Sequence, residues 1–387
     1  MEISYIGLDV SKRFHVAYLL PQGRSITFDH THAGLEKFRA WLETAAPDHT
    51  PVFGLEPTGP FTKTLIQWLK TLGGEIRMVP GVYTKRARYF LTASGLKTDL
   101  VDAKIIAELI RDGKYRPYRD QEPVFLELKE LSEAFFRNNK IWISTSNRVS
   151  SLLDSVFPEM TKLLLLKYRT SRELIKVYCH PRRIVEEDPE VFAAFVHRIS
   201  IGHFKSDKVE EILDAARNSV GYACDSTGLD LQMQAELLDL LEKQRQDIER
   251  QMLRWLAQVD YAANLQTIPG FGPILAGTLL GQLGDLRHYP NCKALYAATG
   301  LNLVEFSSGK YHGSRHISHM GSPMLRRCLF MAAVNTCCRK NSPYYPWYQN
   351  KVANKPAKVV LVAGMRKLLR AAHAIARDNV SFDASRF

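Results

Sequence analysis

No run of about 18 consecutive apolar residues occurs in this 387-residue chain, so no membrane-spanning helix is expected. Cysteine is scarce and unpatterned. The six residues at 179, 224, 292, 328, 337 and 338 form no Cys-x-x-Cys pair, which argues for reduced thiols in a cytoplasmic protein. The G-x-x-x-x-G-K-[ST] nucleotide loop is missing. Low-complexity tracts are missing as well: 45% hydrophobic and 24% charged residues, with 23 Gly and 18 Pro, exclude collagen-like and wholly disordered classes. The opening MEISYIGLDVSKRFHVAYLL carries Glu2 and then alternates, unlike a signal peptide. At about 150 residues per domain, the length suggests two or three domains.

Acid is what the last third lacks. The net charge is +12. From Ala262 onward, 16 Lys and Arg face four acids, Asp285, Glu305, Asp378 and Asp383, whereas residues 1–261 balance at 36 of each sign. The entire excess therefore lies at the C-terminal end, which points to a polyanion as its partner.

What is present begins with alternation. Tyr5, Ile6, Leu8 and Val10, then Val16, Tyr18 and Leu20, read as strands, and Pro21-Gln22-Gly23 as the turn to a third. A helix is expected over 34–46, a strand over 51–56, a helix over 60–72, a strand over 75–80 and a helix over 99–112. That order predicts an α/β sheet domain over 1–123. From Val124 the period changes. Leu128, Leu131, Phe135, Asn138, Trp142, Thr145, Val149 and Leu152 are spaced alternately three and four, as are Leu231, Gln234, Leu238, Leu241, Arg245, Ile248, Met252 and Trp255. Two long heptad-like helices over 124–261 suit either a coiled-coil spacer, paired within one chain or between subunits, or the core of an ordinary helical bundle. Residues 159–228 between them read as helical, with breaks at Pro181 and Gly202. A third, mainly helical region over 262–387 ends in helices 323–339 and 356–378.

Four carboxylates stand where chemistry is expected. Asp9 ends the first strand in GLDVSK, and Glu56 ends a later one in GLEPTG. Asp99 and Asp102, three apart in KTDLVDAK, share one face of a helix. Hard oxygen ligands at strand ends beside such a helix suit Mg²⁺, and two such ions can clamp the oxygens of a phosphodiester. In the third region, IPGFG between helices resembles a helix-hairpin-helix, in which Gly270 and Gly272 let backbone N–H groups meet a phosphate. The loop EFSSGKYHGSRHISHMGSPMLRR follows. Its Lys310, Arg315, Arg326 and Arg327 suit phosphate contacts, and its serines supply hydroxyls that spacing alone does not rank.

GLDVSK, GLEPTG, KTDLVDAKIIA, RVSSLLDSVFPEM, IPGFGPILAGTLLGQLGD, ALYAATGL, SSGK and RHISHMGSPMLRRCLFMAA together resemble the DEDD transposases of the insertion-sequence-110 family, and the related Piv-type invertases. The resemblance implies a RuvC-like (RNase H-like) N-terminal domain, a helical coiled-coil region and a small C-terminal transposase domain. It implies that Asp9, Glu56, Asp99 and Asp102 bind Mg²⁺. It also implies a serine nucleophile, with Ser308 the first choice and Ser318 the second. Donor and target DNA, a structured guide RNA (bridge RNA) and a homo-tetramer are the implied partners. Two departures stand out. The family's RISK reads Arg315-His316-Ile317-Ser318-His319 here, and the 159–228 segment is long.

The expected function is therefore RNA-guided DNA recombination through a phosphoserine. Alternatives are a RuvC-like endonuclease using metal-activated water, an invertase without guide RNA, and a non-enzymatic architectural protein. Clustered like charges are costly without metal, which weighs against the last of these.

Overall fold

The computed structural model describes residues 2–386 other than 48, 58, 92–96, 119, 223, 306, 309, 310 and 314. It divides into two compact units, Met1–Asp120 and Gln121–Phe387. Among the described residues, no helix is long and apolar enough to cross a membrane.

The first unit is a mixed α/β layer. Its elements run β1 (Ile3–Val10), β2 (Phe14–Leu20), β3 (Arg24–Asp29), α1 (His32–Ala45), β4 (Thr50–Leu55), α2 (Pro60–Lys70), β5 (Glu75–Met78), α3 (Gly81–Leu91), α4 (Asp99–Arg111) and β6 (Arg116–Pro117). The six strands lie in the order β3-β2-β1-β4-β5-β6. The opening meander is antiparallel, while β1, β4 and β5 run parallel. Alternation along the strands sorts the two faces. Ile6, Leu8, Phe53 and Leu55 bury against Phe38 of α1 and Leu65 and Leu69 of α2. Val52, on the opposite face, joins Ile106 and Ile110 of α4.

Two glycines bring α4 onto that second face. Gly7 and Gly54 are partners in the β1–β4 register. A Cβ on Gly7 would stand 2.0 Å from the Ala103 carbonyl oxygen and 2.4 Å from the Ala107 nitrogen. One on Gly54 would stand 2.8 Å from methyl groups of Ile106 and Ile110. The helix backbone thus rests directly on the sheet.

The second unit is mostly helical. Helix α5 (Pro123–Val156) leads through α6 (Met160–Leu163), α7 (Arg169–Val177), α8 (Pro181–Glu186), α9 (Pro189–Ser200) and α10 (Ser206–Arg217) to α11 (Asp225–Leu256). Pro181 begins a helix, because its missing N–H costs nothing at the first position. Gly202, at φ +73°, follows α9. Helices α5 and α11 pair antiparallel within the chain: Asn138 Nδ2 donates to Gln244 Oε1 at 2.9 Å, and Arg148 meets Asp230 at 2.8 Å. Of the polar seam positions, Asn138 thus finds a partner across the pair, while Gln234 donates to Asp230 within α11 at 3.1 Å. Arg245 lies over the rings of Phe135 and Trp142.

At one end of this pair, Val149 and Leu231 join the core of the 159–228 helices. At the other, Leu128 and Met252 join a second core with the C-terminal elements. These are α12 (Ala262–Leu265), α13 (Pro273–Leu283), α14 (Cys292–Thr299), β7 (Leu303–Val304), β8 (Ser307–Ser308), β9 (Tyr311–His312), β10 (His316–Ile317), α15 (Pro323–Cys337), α16 (Tyr345–Val352) and α17 (Ala357–Asp378). The segment read as a loop thus contains the small strand pair β8–β9 and the strand β10, which pairs with β7 just before it. Gly277 and Gly281 of α13 sit against the Met252 side chain and the Leu128–Lys129 backbone, where a Cβ would come within 2.4 and 2.5 Å.

Candidate active site

The four expected acids line one cavity of about 360 Å³ in the first unit, with Thr84, Lys85, Arg88, Tyr89 and Lys97. Strand register explains half of this convergence. Leu8 and Leu55 are partners on parallel β1 and β4, so Asp9 and Glu56, one residue further along, leave the same strand ends. By alternation both lie on the face that carries Gly7 and Gly54, the face covered by α4. Helix capping explains the rest. Thr98 caps α4, its hydroxyl accepting from the Val101 N–H at 3.2 Å, and this fixes Asp99 and Asp102 in the first turn.

Burial, then Asp99, Asp102 and Glu56, push the Asp9 carboxyl up to about 6, with Lys97 opposing. Unbalanced negative charge therefore gathers at Asp9. Two residues of α3 that the sequence reading did not single out answer part of it. Thr84 donates its hydroxyl to Glu56 Oε1 and also bonds the Gly81 carbonyl at 3.0 Å. Arg88 donates to Asp102 Oδ1 from Nε at 3.0 Å and Nη2 at 2.6 Å. Asp102 itself is only 8% exposed. Their spacing, i and i+4 on one helix, is the signal that would have found them.

The donor set is all hard oxygen and open to solvent, which fits a cation that keeps several of its waters. Asp9, Glu56, Asp99 and Asp102 are the residues able to hold it. Among the described residues a tighter cluster exists in the second unit, where ligand atoms of Glu122, Asp285 and His288 lie within 4.8 Å of one another. Asp285 is already engaged, however. It accepts from Tyr261 Oη at 3.0 Å and from Arg287 Nη2 at 2.8 Å. Although burial opposes it, hydrogen bonding from Arg287 holds this carboxyl below its ordinary range. Asp285 also caps the turn Leu286–His288, a sufficient structural role.

The remaining expected residues lie in the second unit. Ser308 stands in β8 opposite Tyr311, and its side chain and the whole of Lys310 lie outside the described part. Ser318 donates its hydroxyl to Asn302 Oδ1 and accepts from the Met320 N–H at 3.4 Å. Gly270, at φ +85°, packs on α15, where a Cβ would stand 2.5 Å from Thr336 Oγ1. Gly272 caps α13 with open space beside it. The IPGFG turn therefore joins the one-turn α12 to the buried α13. Arg326 Nη1 bonds the Thr299 and Gly321 carbonyls at 3.2 and 3.0 Å. Arg315 pairs with Glu305 at 2.7 Å, and Arg327 is exposed.

Comparison with known proteins gives these residues a setting. Residues 6–158 match the DEDD IS110-type family model described as "Transposase". Residues 262–349 match the one described as "Transposase IS116/IS110/IS902 family". The chain is 22% identical to an uncharacterized 43.6 kDa protein of insertion element IS110 from Streptomyces coelicolor, over 98% of this chain and 95% of that one. It is 24% identical to a pilin gene-inverting protein of Moraxella lacunata, over 99% and 98%. It is 31% identical to the transposase of insertion sequence IS1328 from Yersinia enterocolitica, over 36% and 43%.

Proposed function

The chain belongs to the IS110 family of transposases, enzymes of DNA recombination, and on that premise we propose that it exchanges DNA strands through a phosphoserine intermediate. Asp9, Glu56, Asp99 and Asp102 hold Mg²⁺ in a RuvC-like domain, residues 1–123. The helical region 124–261 acts as a coiled-coil spacer. Residues 262–387 supply the serine and the phosphate contacts, from Gly270, Gly272, Lys310, Arg315, Arg326 and Arg327. The observation that carries this reading is the shared cavity of the four carboxylates, with Asp9 held up to about 6 by burial and then by its neighbours.

Bound there, Mg²⁺ supplies charge neutralisation at the phosphate and polarises the reacting oxygens. The chain's own residues do the rest. Ser308 Oγ forms a bond to phosphorus as the bond from phosphorus to one strand-end oxygen breaks. The serine proton passes to solvent, and the departing strand-end oxygen takes up a proton to leave as a hydroxyl. A hydroxyl of the second DNA then displaces Ser308, restoring the serine and closing a new phosphodiester. One ester replaces another, so no external energy source is needed. Ser318 is the weaker candidate because its hydroxyl is engaged with Asn302. Donor and target DNA are the substrates, a structured guide RNA selects them, and a homo-tetramer lets one subunit's acids meet another's serine.

Trapping covalent protein–DNA complexes and locating the nucleotide on Ser308 by mass spectrometry tests this reading. Cleavage with no adduct would instead support a metal-dependent endonuclease. A second reading, site-specific inversion without guide RNA, rests on the near full-length similarity to the Moraxella lacunata pilin gene-inverting protein. Nucleic acid co-purified with the protein separates the two: a discrete structured RNA supports guidance, and its absence supports inversion.

A further inference from the structure

Helix α3 presents two different faces. Thr84 and Arg88, four residues apart, turn to Glu56 and Asp102. Val82, Lys85, Arg86, Tyr89 and Phe90 follow the i, i+3, i+4, i+7, i+8 pattern of a second face, and all five are exposed. Apolar residues in that pattern normally mark the buried side of a helix. Here Phe90 is 89% exposed, Tyr89 69% and Val82 50%. Lys85 and Arg86 make no ion pair among the described residues, and α3 contains no acid. Lys85 and Tyr89 also line the acidic cavity.

We propose that this face of α3 docks a single-stranded DNA segment running into the cavity, with Tyr89 and Phe90 stacking on unpaired bases and Lys85 and Arg86 meeting backbone phosphates. Exposed aromatic rings interleaved with unpaired cations are the two elements that single strands require, and every base offers a ring face to stack on. A protein occupant would satisfy the rings but leave the two cations without partners unless it brought acids. A DNA strand satisfies both at once, and one end of this face opens into the adjoining cavity through Lys85 and Tyr89. Arg88 does not belong to this platform, since it is held by Asp102. The inference rests on the strand-exchange reading of that cavity.

The test uses the full-length protein without divalent metal, so that no strand is cut. Binding of a fluorescein-labelled oligo-dT of about 12 nucleotides is followed by anisotropy. Tyr89→Ala and Phe90→Ala are each expected to weaken binding roughly 5- to 50-fold, while Phe90→Trp retains it. Lys85→Ala with Arg86→Ala should flatten the slope of log affinity against log salt by about 1.4, from two lost single-strand phosphate contacts. Blunt duplex DNA should respond little to the aromatic variants. The proposal is overturned if oligo-dT affinity is unchanged, if duplex affinity falls equally, or if only oligo-rU is affected. It is also overturned if the aromatic variants change the sedimentation coefficient instead, which would make the face a subunit contact. Asp9→Ala separates this from the underlying reading. It should bind oligo-dT at least as tightly as the wild type, because one carboxylate leaves the strand's path, and exchange no strands; full strand exchange by Asp9→Ala would sink the strand-exchange assignment of the cavity whatever α3 does.

Discussion

Arg88 and Asp102 form a two-donor contact on one carboxylate oxygen, at 3.0 and 2.6 Å, inside the cavity that gathers three further acids. The Arg88 side chain is 18% exposed and the Asp102 side chain 11%. Arg88 thus serves as an internal cation for an acid that a divalent ion would also claim. Replacing it by Met leaves Asp102 with one fewer countercharge. We expect Arg88→Met to melt at a lower temperature than the wild type without metal, and Mn²⁺ to restore most of the loss. Mn²⁺ affinity by calorimetry should rise roughly 5-fold, the scale of removing one competing ion pair. Unchanged affinity together with an unchanged melting temperature would show that the pair plays no part in the site.

Asp9 gives the site a pH dependence of definite sign. Burial, followed by Asp99, Asp102 and Glu56, raises its carboxyl from 3.8 to about 6. The folded protein therefore holds this proton more tightly than the unfolded chain. The resulting stability is complete below 3.8 and is lost as pH rises through about 6. Asp9→Asn should therefore raise the melting temperature of the metal-free protein at about pH 7.5, and this advantage should vanish near pH 4. Metal affinity of the wild type should fall as pH drops through 6, because the proton and the cation compete for one carboxylate. An Asn variant with no advantage above pH 6 would place Asp9 outside the mutual repulsion.

Gly7 controls the spacing between Asp9 and the acids of α4. Its missing Cβ would meet backbone atoms of Ala103 and Ala107, which cannot rotate away as a side chain tip can. Gly7→Ala should cost about 1–3 kcal/mol in urea denaturation. It should also weaken Mn²⁺ binding, because α4 must lift with Asp99 and Asp102. Gly272→Ala, at φ −76° with nothing within 4 Å, controls for loss of backbone freedom alone.

Much of the cavity was readable because local rules place its acids. Strand alternation puts Asp9 and Glu56 on one face, and the Thr98 cap starts the helix that carries Asp99 and Asp102. Helix α3 was not read from the sequence. GVYTKRARYFL turns its rings outward, so the usual link between apolar pattern and burial fails there. Thr84 escaped notice because its partner, Glu56, is 28 residues away, on a contact that only the fold creates. The heptads of α5 and α11 fitted either an intrachain pair or a subunit interface equally well. In the fold they pair within the chain, through contacts such as the Asn138–Gln244 bond. Gly270 was legible as a turn glycine, whereas its left-handed φ and its packing against Thr336 of α15 arise only in the fold.

The proposed mechanism requires the carboxylate cavity and a C-terminal serine to act together on one phosphate. The direct measurement is recovery of a covalent protein–DNA adduct from reactions quenched in denaturant, with the modified residue assigned by mass spectrometry. A nucleotide ester on Ser308 that requires divalent metal is expected. It should be absent from Ser308→Ala, and absent when every subunit carries Asp9→Ala, Glu56→Ala, Asp99→Ala or Asp102→Ala. Metal-dependent cleavage by the wild type with no adduct on any serine, or an adduct that persists in the Asp102→Ala protein, would contradict this mechanism.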